Sequence, residues 1–340
     1  MLRSEALLRA RRTWAWLLPA LACALPVSAG EPAVWHMASA VPEGSPVADW
    51  AGRLAHAIER HTGGLVKVRM HLGAVLGDET EMITQMKTGR VQLVGGSLGA
   101  FEPLIPALSV LETPYLFADD AALGRASRSE PLAIAPVVRL FREQGFEPWG
   151  LAFAGWRAIS TRTRVRLPAD LRGLRIRCQP APLHEAIFRL LGAAVRPVPL
   201  RGVQPGFQEG QFDGIDVPLV WLFGTSAADH VRFHLRTGHV AQGATMVVSR
   251  AALATLPRPI RERLLGEGKR FADDFNRTSR DLEAQLLDTL RARGVEVTVP
   301  NAAELSAWKA AMAPVRPVAL ETGGAEGRAL LQALERPRGG

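Results

Sequence analysis

Gly95-Gly96-Ser97-Leu98-Gly99 satisfies the G-x-S-x-G pattern of a nucleophile elbow and follows a short apolar run, Val91 to Val94, that reads as a strand. A strained strand-to-helix turn there would expose the Ser97 hydroxyl for acyl transfer, the chemistry of a serine hydrolase. That elbow needs a helix directly after the serine. Pro103 and Pro106 interrupt the next turn, so no such helix is expected, and the glycines read as a loop that lets backbone approach a ligand.

Other catalytic or cofactor patterns are weaker still. His230, His234 and His239 come without an HExxH or a Cys/His cluster, so no metal site is expected. Gly266-Glu267-Gly268-Lys269-Arg270 lacks the Ser/Thr of a phosphate loop, and Gly323-Gly324 follows no strand, so no nucleotide or other cofactor is expected. What remains is a pair of arginines. Arg157 lies near the end of the strand pattern around Phe153, and Arg177 ends the apolar stretch from Leu174 to Cys178. Open parallel sheets bind ligands outside the carboxyl ends of their strands. A guanidinium there can grip a carboxylate with two parallel hydrogen bonds, a geometry lysine cannot reproduce. The plain alternative is that both are surface charges.

Composition narrows the setting. Arg9, Arg11 and Arg12, an apolar run from Trp14 to Pro26, and the small-residue site Val27-Ser28-Ala29 read in order as a signal peptide over 1–29, cut before Gly30. Arg11-Arg12 ahead of Trp14 leaves twin-arginine export open, and Cys23 gives only a faint lipoprotein box. The apolar run is shorter than the roughly 20 residues that span a bilayer. Of the formal charge of +8, four arginines against one glutamate lie in this segment, so the mature chain carries a milder excess that favours anionic partners. Arg162, Arg164 and Arg166 are not interleaved with aromatics, which argues against nucleic acid. Cys178 alone survives cleavage, so it reads as a small buried residue and core burial must carry stability.

The elements that would position the arginines alternate. Ser45 and Pro46 fit an N-cap and first helical position, and Val47, Trp50, Leu54 and Ile58 recur at helical spacing until Gly63-Gly64. Val66, Val68, Met70 and Leu72 then alternate as in a strand, and Asp78 with Glu81 caps a second helix carrying Met82 and Met86. A similar unit follows later: strands at Leu174 to Cys178 and Val195 to Leu200 around a helix from Pro182 to Leu191, then a short helix ending near Gly210 and a strand from Phe212. Two α/β lobes with parallel strands follow. From Pro259 to Arg293 an uninterrupted helical stripe reaches about 50 Å, longer than a lobe of roughly 40 Å. One helix should therefore run along both lobes, with Gly266 and Gly268 as bend points.

Several ordered motifs carry a resemblance. They are Pro42-Glu43-Gly44-Ser45-Pro46, Thr62-Gly63-Gly64, Leu76-Gly77-Asp78-Glu79, Glu112-Thr113-Pro114-Tyr115-Leu116-Phe117, Asp170-Leu171-Arg172-Gly173-Leu174-Arg175-Ile176-Arg177, Leu191-Gly192-Ala193 and Gln208-Glu209-Gly210-Gln211-Phe212-Asp213-Gly214. In order and spacing, from about Trp35 to Pro300, the chain resembles the solute-binding subunits of tripartite ATP-independent periplasmic (TRAP) transporters of the dicarboxylate-receptor type.

The resemblance implies a two-lobed α/β periplasmic-binding-protein fold with mixed and parallel sheets, hinge strands near Ala154 and Gln242, and a monomer that closes on a small organic acid in the periplasm. It also implies delivery to membrane permease subunits driven by an ion gradient, with no catalysis. Arg177 would pair with the ligand carboxylate and Arg157 would assist, among the further candidates Ser97, Trp156, Leu200, Val217, Trp221 and Gln179. The expected organisation is lobe I over 30–154 and 243–280, lobe II over 155–242 and 281–320, and a C-terminal tail over 321–340. Where the family carries asparagines this chain has Pro180 and Val217, so the pocket is expected to suit an acid with a partly apolar body. A serine hydrolase using Ser97 and an orphan receptor feeding a sensor are the alternatives.

Overall fold

The computed structural model describes residues 31–123 and 131–335. The expected signal peptide over 1–29 therefore lies outside the described residues. Eleven strands form one continuous mixed sheet: β1 (Ala33–Ser39), β2 (Val66–His71), β3 (Leu93–Ser97), β4 (Phe146–Pro148), β5 (Ala152–Thr161), β6 (Arg175–Cys178), β7 (Ala194–Pro197), β8 (Gly214–Pro218), β9 (Phe233–Leu235), β10 (Ala241–Ser249) and β11 (Glu296–Thr298). The main order is β2-β1-β3-β10-β5-β8-β6-β7. β2-β1-β3 and β8-β6-β7 are parallel trios, one per lobe, and the antiparallel strands β10 and β5 join them.

Helices cover both faces of each trio, as parallel strands require. In the first lobe the Pro46–His61 helix turns Trp50, Leu54 and Ile58 onto the sheet, and Ser45 caps it by accepting from Ala48 N at 3.1 Å. Leu54 and Ile58 are fully buried, so truncating either to Ala removes about 2–5 kcal/mol. The Glu79–Lys87 helix lies on the other face, started by the Asp78/Glu81 capping box, with Met82 and Met86 inward. In the second lobe the Pro182–Leu190 helix buries Leu183, Ile187 and Phe188 against β6.

The Arg258–Ala292 helix follows the expected stripe and runs unbroken for 35 residues. Its first half packs Leu264 and Phe275 into the first lobe and its last turns pack Leu287 and Leu290 into the second. Gly268 is a close-approach site: a Cβ there would lie 3.0 Å from Trp149 Cα.

The segment set aside as a tail is instead structural as far as Glu335. It completes a Val315–Glu335 helix, broken in conformation only at Gly324 (φ 60°), which buries Val315 and Ala319 in the second lobe and Leu330 and Leu331 in the first. Its glycines hide the apolar stripe from the sequence, because Gly323 and Gly327 contribute contact by having no side chain, each leaving room for Val110. Strand ends also shift: β3 runs from Leu93 to Ser97, β7 ends at Pro197, and β8 starts at Gly214.

Candidate ligand-binding cleft

β5 changes partner at the junction of the lobes. Ala152 to Trp156 pair with β10, whereas Arg157 to Thr161 pair with β8. Successive strand residues face opposite sides, so Arg157 turns toward the cleft and Trp156 turns away from it. Trp156 donates its indole N–H to Asp120 Oδ1 at 2.6 Å, beside Phe117 on a separate cavity. Its expected place in the cleft is thereby corrected. The β10 register shifts between Ala241 and Gly243, a bulge that re-aims the intervening Gln242 into the cleft.

Arg157 is saturated by the protein. Its Nε donates to Asp216 Oδ2 at 2.9 Å, Nη2 to the Asp216 carbonyl at 2.7 Å, and Nη1 to Gln242 Oε1 and, at 3.4 Å, to Gln179 Oε1. Burial alone would raise the Asp216 pKa, but Arg157 and His239 outweigh it and hold the carboxyl below its usual range. Arg157 and Asp216 thus form a neutral, buried floor rather than a free cation.

Arg177 differs. Flanked on β6 by the core residues Ile176 and Cys178, it is turned to the opposite face by strand alternation, and it is 1 % exposed. Among the described residues only its Nε is engaged, donating to the Val198 carbonyl at 2.7 Å. No carboxylate among the described residues forms an ion pair with it, and burial followed by the nearby Arg157 charge pushes its pKa down to about 10. A buried, unpaired guanidinium is costly on its own and becomes favourable when an anion arrives.

Ser97 closes β3 and N-caps a one-turn helix, Leu98–Phe101. The helix that Pro103 was expected to prevent does form, because the proline falls after its last turn and stops it there. Gly95 and Gly96 accordingly belong to the strand rather than a loop. The Ser97 hydroxyl donates to Glu79 Oε2 at 2.8 Å and accepts from Gln179 Nε2 at 2.8 Å and Ala100 N at 3.3 Å. No imidazole is among these partners, and the hydroxyl proton points to the Glu79 carboxylate instead. Burial raises the Glu79 pKa against the two hydrogen bonds it accepts from Ser97.

Arg157, Arg177, Ser97, Gln179, Leu200, Val217 and Trp221 converge on one cleft of about 610 Å3, counting its solvent-open part. Glu79, Gln242 and Arg201 join them and were not among the expected site residues. Glu79 follows the N-cap Asp78 in the first turn of its helix, where an acidic residue is ordinary, and this masked its position at the strand ends. Arg201 reaches from the second lobe to Glu81 Oε2 at 3.1 Å and Asp78 Oδ2 at 3.9 Å in the first, latching the mouth.

Residues 37–321 match the family model described as bacterial extracellular solute-binding protein, family 7. The chain belongs to this solute-binding family. A relative from Verminephrobacter eiseniae named solute-binding protein is 31% identical over 264 residues, 77% of each chain. The C4-dicarboxylate-binding periplasmic protein DctP of Rhodobacter capsulatus is 28% identical over 320 residues, covering 92% of this chain and 95% of that one. A solved TRAP periplasmic solute-binding protein from Pseudomonas aeruginosa PAO1, with bound L-malate, has a TM-score of 0.79 at 24% identity, covering 84% of this chain and 100% of that one. The likeness to the solved structure establishes the two-lobed fold.

In this solute-binding protein the histidines lie apart from the cleft cation. His230 stacks on Phe207, His234 hydrogen-bonds Ser160, and His239 hydrogen-bonds Thr237. Cys178 is buried, and burial pushes its thiol up to about 12, which suits a packing residue. The cleft adjoins a second, apolar chamber and shares Glu79, Ser97, Trp221 and Gln242 with it.

Proposed function

We propose that this protein is the periplasmic receptor of a TRAP transporter, closing its lobes on a small organic carboxylate and handing it to an ion-gradient-driven permease. The observation that carries the reading is Arg177, a buried guanidinium whose Nη groups meet no protein acceptor among the described residues. A ligand carboxylate would complete it. Relatives with periplasmic, acid-binding names support the same reading.

Lobe closure would turn on β5 and β10 near Trp156 and Gln242, with Arg201 and the Ser97–Gln179 hydrogen bond spanning the mouth. A ligand shifts such an equilibrium only by binding the closed state better, and contact with both lobes provides that difference. Mass spectrometry of the solute released on denaturing freshly purified protein tests the reading. An organic acid that also raises the melting temperature on re-addition is expected, without turnover of simple esters. A released solute lacking a carboxylate, or steady ester hydrolysis lost in Ser97→Ala, would contradict it.

A further inference from the structure

We propose that the cleft selects a monocarboxylate with a flat aromatic body over dicarboxylates and sugar acids, an inference that rests on the carboxylate-receptor reading above. The first support is charge. Arg157 is neutralised by Asp216, and Arg201 faces both Glu81 and Asp78, so Arg177 is the one uncompensated cation among the described residues of the cleft wall. A second ligand carboxylate would leave water for a wall that holds Glu79 and no free cation. That transfer is strongly unfavourable.

The second support is the adjoining chamber, about 670 Å3 with its open part, walled by Trp50, Trp149, Trp221, Phe275 and Met246. Trp50 and Phe275 meet edge to face with ring centroids 5.0 Å apart. Most polar side chains that reach this space are already engaged: Thr245 donates to the Gly150 carbonyl, Gln242 to Glu112, and Ser97 to Glu79, while the Trp149 indole N–H has no acceptor among the described residues. The several hydroxyls of a sugar acid would lose water there for few partners, with the Trp149 indole N–H the spare donor. A ring forfeits nothing of that kind and gains apolar burial and aromatic contacts. Trp221 comes from the helix after β8, whereas Trp50, Trp149 and Phe275 belong to the first lobe's core, so closure completes the enclosure.

Wild-type protein, unfolded to remove solute and refolded, is titrated calorimetrically with 3-phenylpropionate, propionate, succinate and glucuronate. 3-Phenylpropionate should bind about tenfold or more tighter than each of the others. Trp221→Ala should shrink the phenylpropionate-to-propionate ratio by about fivefold, and the wild-type series decides alone if that variant does not fold. Succinate or glucuronate binding as tightly as 3-phenylpropionate overturns the inference but leaves the receptor reading in place if Arg177→Ala abolishes that binding. Failure of all four to bind also overturns it, and the identity of the endogenous solute then decides the receptor reading separately.

Discussion

Asp216 holds Arg157 through both its side chain and its own carbonyl, with the ion pair at 2.8 Å and neither side chain more than 1 % exposed. The pair sits where β5 passes from one lobe to the other, so it ties the floor of the cleft to the strand that joins them. Arg157→Ala would strand a buried carboxylate and should cost about 3–5 kcal/mol of stability in urea denaturation of the unliganded protein. The double replacement Arg157→Met with Asp216→Leu should recover most of that. Full stability with lost ligand affinity in Arg157→Ala would instead assign Arg157 to the ligand.

Arg201 makes the mouth contacts, but its side chain is 50% exposed and solvent screens the pairing. Exposed pairs contribute roughly 0–1 kcal/mol, so Arg201→Ala should weaken ligand binding about two- to fivefold, mainly through faster release. In 1 M salt, where the screening length falls to about 3 Å, variant and wild type should converge. Stopped-flow dissociation at two salt concentrations checks this.

Stability should form a dome with pH. Glu102, 2 % exposed and with Oε1 unpartnered, has its carboxyl pushed up to about 8 by burial, with Glu112 adding to it. The folded state then keeps a proton that the unfolded chain releases above about 4.5, so stability falls as pH rises from there through 8. Burial holds His234 down at about 4, so the unfolded chain binds its proton first and stability also falls as pH drops from 6.5 toward 4. Glu102→Gln should raise the melting temperature relative to wild type by about 2–4 °C more at pH 9 than at pH 5. An offset equal at both pH values would contradict the assignment.

Local signals carried much of the fold. Ser45-Pro46, Asp78 with Glu81, and the long apolar stripe each state a helix through caps or periodicity, and all three are found. In the candidate cleft, Arg177 stood out at the end of an apolar stretch and Ser97 in the G-x-S-x-G pattern, whereas Val217 was reached only through the family resemblance. Trp156 was misplaced because adjacency to Arg157 along a strand means the opposite face. Asp216 was invisible as the partner of Arg157 because the two lie 59 residues apart and meet only through the β5–β8 register. The terminal helix escaped for a different reason, since its packing face uses glycines that carry no hydrophobic signal.

The most direct test is titration calorimetry of Arg177→Ala and Arg177→Lys with the acid recovered from purified protein. Losing the guanidinium strands a desolvated carboxylate, so Arg177→Ala should lose about 2–5 kcal/mol, or roughly 30-fold to several-thousand-fold in affinity. Arg177→Lys should regain part of this, because it restores the charge without the two-pronged geometry. Wild-type affinity in Arg177→Ala, with the fold intact, would contradict the account.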